Sequence, residues 1–375
     1  MPLTARQLNR ATLDRQLLLR RAPLGVSDGI RRIAALQAQE AASPYLALWN
    51  RLAGFDPADL DAAFATGTVV KATLMRITLH AVHAADYPAF HGAMRTNLRA
   101  VRLYDRRFTS TGLTADDADA LLPHLAAFTA VPRTAAEIEA LLESRLGEHG
   151  RRMWWALRTF APLRHAPTGG PWSFAGRAFV ASTTPPAPAP EDDSLRHLAL
   201  RYLEAFGPAT APDLAQFTLL GRPVVRRVLQ SLTGQVVELD GPGGVTLYDL
   251  AGASLPAADT PAPPRLLPMW DSILLAYADR SRVIPPAYRP LVTRRNGDVL
   301  PTLLVDGHVA GVWRPVDDGI EATAFHPLDE ETWHSLATEA AALATLLAAR
   351  DPATYRRYAH WWTKPLPASQ VRILG

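Results

Sequence analysis

A chain of 375 residues exceeds one small module and predicts two or three units, at roughly 100–200 residues each. Its 48% hydrophobic and 20% charged residues suit a globular chain, and the absence of cysteine excludes disulfides, thiolate nucleophiles and Cys-ligated metal centres. The formal charge of +3 permits an anionic partner without demanding one; Lys71 and Lys364 are the only lysines among 39 basic residues, so phosphate contacts fall to guanidinium groups.

Residues 1–112 read as helices and a hairpin. Leu8, Ala11 and Leu13, then Leu17 to Leu19, predict an opening helix. Ser27 is a candidate N-cap for a second, running through Ile30, Ile33 and Leu36. Ser43-Pro44 and Asp56-Pro57 open a third and a fourth. Val, Thr and Ile between Thr68 and His83 predict a β-hairpin.

In residues 113–185, Thr134 and Glu137 have capping-box spacing ahead of Ile138, Leu141 and Leu142. A helix through Met153, Trp154 and Leu157 follows, then two short strands around the Thr168–Pro171 turn. The Pro-rich run Thr183–Asp193 reads as an extended linker. Residues 192–255 give a helix Leu195–Phe206, one capped by Thr210, one from Arg222 to Leu232, and a wing-like hairpin around Asp240–Gly244.

A second Pro-rich break, Pro256–Pro264, precedes a change of character in 264–375. Asn296-Gly297 and Asp306-Gly307 signal hairpins, and Arg314-Pro315 marks a break. Glu330–Ala349 is a long amphipathic helix, and Tyr355–Trp362 a short terminal one.

The expectation is an α+β chain in which helices followed by a hairpin recur three times. That is the outline of three tandem winged helix-turn-helix units forming a concave DNA-binding surface, with a C-terminal β-hairpin-containing segment and terminal helices. The competing account is an α+β array assembled for packing alone. The sequence has no Gly-rich phosphate loop, G-x-S-x-G elbow or H-E-x-x-H motif, and its eleven histidines do not cluster at metal-ligand spacing. His80 and His83 sit an odd number apart in the proposed hairpin and so face opposite ways. No metal or cofactor is expected. Met1–Arg10 lacks a leader-like apolar core. The longest bland stretch, Ala340–Ala349, is half the length of a membrane span of about 20 residues. The chain reads as a cytoplasmic, nucleoid-associated monomer.

Four stretches are distinctive: Leu36-Gln37-Ala38-Gln39, MRITLHAV at Met75–Val82, LLPMWDSILLAYADRSR at Leu266–Arg282, and PTLLVDGHVAGVWRP from Pro301. Together they resemble the bacterial winged-helix DNA glycosylases, the AlkZ/YcaQ-like family, over essentially the whole chain. Gln37-Ala38-Gln39 fits the branch with a Gln-apolar-Gln motif, linked to azinomycin resistance; a sister branch carries Asp at the second polar position. The resemblance implies removal of bulky N7-alkylated purines from double-stranded DNA and unhooking of interstrand crosslinks.

Gln37 and Gln39 are therefore the candidate catalytic residues. Residues two apart on a regular helix diverge by about 200°, so the motif is expected at a helix end or in the turn before Ser43. An amide is no general base near neutral pH and would act by orienting a water and its own dipole.

Candidate DNA contacts are Arg294 and Arg295 beside the Asn296-Gly297 hairpin, and Arg95, Arg99 and Arg102, which with Arg106 would share one helix face. Arg222 and Arg226, with Arg227, stand at a recognition-helix position. Arg280 and Arg282 lie in the family-like stretch with Trp270, Asp271 and Asp279, whose role is lesion contact or an ion pair holding the last segment. Any of these arginines is otherwise a solvated surface group. Two other functions compete: a non-catalytic winged-helix regulator, and a protein that sequesters the free toxin. A lyase would need an amine for a Schiff base, which two lysines and Pro2 hardly supply, so a monofunctional hydrolase is expected.

Overall fold

A computed structural model describes residues 2–182, 191–364 and 366–375. Local signals set many helix starts. Thr134 and Glu137 close a capping box on Ala135–Leu146, and Thr210 and Asp213 one on Ala211–Thr218. Each satisfies N–H groups that the first turn cannot, contributing on the order of 1 kcal/mol. Asp56 caps Pro57–Thr66 through the Ala58 N–H.

Other starts differ from expectation. The helix Val26–Arg32 begins behind Gly25, so Ser27 is not its cap, and it stops at Ile33. Ala34 (φ 65°) turns the chain, which releases Leu36 into a short strand, Leu36–Gln37. Ser43 lies within the helix Ser43–Trp49, and its hydroxyl bonds the Tyr355 hydroxyl at 2.9 Å. The expected linker Thr183–Asp193 falls outside the described residues from 183 to 190. Glu191, Asp192 and Asp193 form the first turn of the helix Glu191–Phe206, where three carboxylates suit the positive end of its dipole.

The architecture is mixed α+β with three antiparallel sheets. The hairpin Val69–Thr73/Leu79–His83 does not stand alone. Leu36–Gln37 pairs along Leu79–His83, and Val69–Thr73 meets Leu163–Ala166 at Lys71 and His165. Ala178–Ala181 and Arg133–Thr134 complete a six-stranded sheet, so both expected wings of residues 1–185 are fused.

Val236–Asp240 and Thr246–Leu250 form a separate two-stranded hairpin behind Arg222–Ser231. The five-stranded sheet runs in the order Gln370–Leu374, Gly319–Ala324, His308–Val316, Thr302–Val305, Arg265–Leu267. Arg314-Pro315 does not break it: Arg314 and Pro315 pair with Glu321 and Ile320. Pairing with Thr302–Val305 stops at Val312, so the proline falls where the strand is laddered on one side. The edge strand Gln370–Leu374 was not expected; it leaves Val371 and Ile373 exposed. The terminal helix is a 3-10 helix, Arg356–Thr363.

Two cores hold these layers. One joins the N-terminal helices to the five-stranded sheet and the helix Glu330–Arg350. The other joins the helices Tyr87–Leu103, Gly150–Phe160 and Glu191–Phe206 under the six-stranded sheet. Arg51 and Asp271 lock the first. Their side chains are fully buried and share two bonds of 2.8 Å across 220 residues of chain. Asp271 thus serves as half of a buried ion pair.

Candidate active site

Gln37 ends the two-residue edge strand Leu36–Gln37 of the six-stranded sheet, not a helix, and Gln39 falls in the bend that leads to Ser43. Gln37 sits opposite His80, and the Ala38 N–H extends the ladder to the Leu79 carbonyl at 2.8 Å. Strand pleating would put residues two apart on one side, but the strand is only two residues long, so alternation does not fix the side taken by Gln39. Past Ala38 the strand ends in a bend. There Gln39 is exposed, its Oε1 3.5 Å from the Leu79 nitrogen, whereas Gln37 is buried.

A hydrogen-bonded chain holds Gln37. Arg76 Nη2 donates to Gln37 Oε1 at 2.5 Å and contacts His80 Nε2 at 3.1 Å. Arg76 Nη1 donates to the Phe217 carbonyl, and the guanidinium lies 5.0 Å from the Phe217 ring centroid. Burial, and then the nearby Arg280, pushes the Arg76 pKa down to about 10. Burial, followed by the charge of Arg76, pushes His80 down to about 3, so its ring is neutral near pH 7. Arg76 reaches Gln37 because Arg76 and Ile77 both take left-handed backbone (φ 53° and 58°). For a β-branched Ile this conformation costs of order 1–3 kcal/mol. Both Arg76 and His80 belong to the distinctive Met75–Val82 stretch, yet only the turn reveals their pairing.

On the other face of the sheet lies a cleft of about 500 Å³. Lys71, Thr73 and Leu79 alternate away from Gln37 and His80, so Gln37 does not line this cleft; Gln39 does, because the bend after Ala38 carries it past the sheet edge to that side. Arg102, Arg158, Arg177 and Arg357 add four cations, against the carboxylate of Glu40. Lys71 is buried, with Nζ 4.3 Å from the Phe174 ring centroid. Its pKa is pushed down to about 8 by burial, partly offset by Glu40. His165, its cross-strand neighbour, is pushed down to about 3 by burial and then by Lys71. Such a surface can bind phosphate by charge attraction.

The terminal 3-10 helix forms one wall. Arg357 pairs with Glu40, and the Tyr358 hydroxyl donates to the same carboxylate at 3.1 Å. Trp361 Nε1 donates to Asp298 at 2.8 Å and Trp270 Nε1 to the Gly297 carbonyl at 2.9 Å. The Asn296-Gly297 hairpin is therefore docked on two tryptophans, and Trp270 meets Tyr358 edge-on at 5.6 Å.

The other candidate arginines divide. Arg294 is half-buried over Trp361, while Arg295 at the hairpin tip is exposed. Arg280 Nη1 donates to Thr293, in the chain leading to that hairpin. Arg282 donates to the Pro208 carbonyl and covers the Tyr277 ring at 4.1 Å. The helix Tyr87–Leu103 carries Arg95, Arg99 and Arg102, but Arg106 falls beyond its end in the short helix Arg106–Thr109. Arg95 is exposed, Arg99 pairs with Asp119, and Arg102 Nε donates to Thr159. Arg222 and Arg226 are exposed on Arg222–Ser231. Lys71, Arg158, Arg177 and Arg357 were not among the candidates; only the scarcity of lysine pointed to any of them. Among the described residues, no group of three or more His, Asp or Glu could hold a metal ion, and no helix is long and apolar enough to cross a membrane.

The interstrand DNA cross-link repair glycosylase of Streptomyces sahachiroi is 25% identical over 362 residues, covering 90% of this chain and 95% of that protein. The solved structure of Streptomyces sahachiroi DNA glycosylase AlkZ aligns with a TM-score of 0.80 at 23% identity. The alignment covers 93% of this chain and 98% of that one. The family model described as DNA glycosylase AlkZ-like matches residues 30–346. A match over that much of the sequence places this chain in the AlkZ-like DNA glycosylase family.

Proposed function

We propose that this protein is a monofunctional DNA glycosylase. It hydrolyses the N-glycosidic bond of bulky N7-alkylated purines and unhooks interstrand crosslinks, protecting its host from a DNA-alkylating natural product. The observation that carries this reading is the Gln37-Ala38-Gln39 motif at the sheet edge, with Gln37 held by Arg76 and Gln39 exposed above a basic cleft.

Alkylation at N7 makes the purine cationic and a good leaving group. The protein then has two tasks: to place a water beneath the sugar C1′ and to support positive charge developing there. Oriented amide dipoles suit both, and positioning of this kind lowers a barrier by several kcal/mol. The protein acts as a cytoplasmic, nucleoid-associated monomer on double-stranded DNA and needs no cofactor. In this reading residues 1–112, 113–185 and 192–255 are winged-helix units around a concave DNA surface, followed by the segment 264–375. The three helices and hairpin between Glu191 and Leu250 support it most directly.

The test is single-turnover excision from duplexes carrying one N7-alkylguanine or one crosslink, by wild type, Gln37→Ala and Gln39→Ala. We expect abasic product from wild type and roughly 100-fold slower excision by each variant, with DNA affinity retained. Binding without excision by wild type would leave a regulator. Tight binding of the free alkylating agent without DNA would leave a sequestering protein. A borohydride-trapped covalent adduct would overturn the monofunctional assignment, and Lys71 is the amine to examine first.

A further inference from the structure

The hydrogen bonds around Gln37 have only one consistent direction. Carbonyl oxygens accept only, so the His80 Nδ1 contact with the Thr78 carbonyl at 3.0 Å places the proton on Nδ1. The neutral ring then presents a lone pair at Nε2, which accepts from Arg76 Nη2. A guanidinium only donates. The remaining Nη2 proton therefore requires an acceptor, and the Gln37 amide must turn its Oε1 inward to provide one. Its Nε2 points away from Arg76, donates to no described group, and is not sealed among the buried atoms without partners. Gln39 has no such anchor: it is exposed, and among the described residues its Oε1 accepts from no group but the Leu79 N–H, at the limit of hydrogen-bonding distance.

We infer that Arg76 is a positioning residue that fixes the polarity of the motif, so that Gln37 offers the substrate a hydrogen-bond donor and Gln39 the acceptor. This rests on the proposal that both glutamines meet the lesion. The donor from Gln37 serves an oxygen of the sugar or its flanking phosphate. The carbonyl of Gln39 accepts from the attacking water and sets its lone pair toward C1′. The roles are not interchangeable, because reversing the Gln37 amide would set its NH₂ group against Arg76.

The isosteric acids separate these roles. Glutamate keeps the shape of glutamine and its acceptors but loses the donor. Gln37→Glu should therefore lose excision about 100-fold in single turnover at saturating enzyme, as Gln37→Ala does, because its carboxylate pairs with Arg76 and offers no donor. Gln39→Glu should bind DNA more weakly, through repulsion from phosphate, yet keep its single-turnover rate within about 10-fold of wild type. Arg76→Met should lower that rate while leaving DNA affinity within a few-fold, and Arg76→Lys should restore part of it; a purely structural role would change melting temperature without this split.

Wild-type-like rates for Gln37→Glu, or equal loss in both acids, would overturn the inference while leaving the glycosylase reading intact. Full activity in both alanine variants would instead remove the motif from the chemistry altogether.

Discussion

The joint between the N-terminal helices and the five-stranded sheet is lined with arginine, and so is the cleft beside Gln39. The two regions use it in opposite ways. At the joint five guanidinium groups meet carboxylates: Arg51 on Asp271, Arg6 and Arg10 on Asp306, Arg21 and Arg265 on Glu339. In the cleft Arg102, Arg158 and Arg177 pair with no carboxylate among the described residues, and Arg357 shares Glu40 with Tyr358. Composition cannot separate these populations. Their partners do: a buried charge needs its counter-ion from the protein, whereas an exposed cluster of like charge is complete only when an anion supplies it.

The largest expected effect tests the joint. Asp271→Ala leaves Arg51 charged, fully buried and unpaired, and should destabilise the fold by about 3–5 kcal/mol in denaturant titration. A loss below 1 kcal/mol would show that the pair is not a strut. In the cleft, Arg158→Ala with Arg177→Ala should leave the melting temperature nearly unchanged. It should weaken duplex binding and flatten the plot of log affinity against log salt by roughly 0.9 per lost phosphate contact. An unchanged salt slope would remove the cleft from the DNA path.

The Asn296-Gly297 hairpin carries both kinds of arginine side by side. Arg294→Ala should cost about 0.5–1 kcal/mol of stability through its lost contact with Trp361. Arg295→Ala should alter DNA affinity alone, and reversal of the two effects would reverse their assignment. The smallest effect is a pH dependence. Lys71 is mostly charged below its pKa of about 8 and neutral above it. DNA affinity should therefore fall as pH rises from 7 to 9, and Lys71→Met should flatten that fall. A pH profile identical to wild type would exclude Lys71 from phosphate binding.

What could be read beforehand was local. The capping boxes at Thr134 and Thr210 need only four adjacent residues, and the Val69–Thr73/Leu79–His83 hairpin only its own alternation. The glutamine motif was found by resemblance, but its strand was missed: two residues on a sheet edge carry too short a pattern to distinguish strand from helix. Gln370–Leu374 was missed because five residues are too short a run to be decisive, although Val371 and Ile373 do alternate; they face outward rather than into a core. The partner of Asp271 lies 220 residues away, beyond any periodicity. Arg76 was in view throughout, inside a stretch already singled out, but its reach to Gln37 depends on two left-handed residues that no propensity favours.

The contact of Arg357 with Glu40 joins residues 317 positions apart. Closing such a contact orders a very long loop, and folding that depends on distant contacts is slow. Gln39 therefore gains its neighbouring wall only when the first core, which holds Ala38 and Ala42 together with Tyr355, Tyr358 and Trp361, has closed. An intermediate with its helices formed but this closure incomplete would hold the motif without its full surroundings. The surroundings of the motif are then completed by the longest-range contacts of the chain rather than by its local elements.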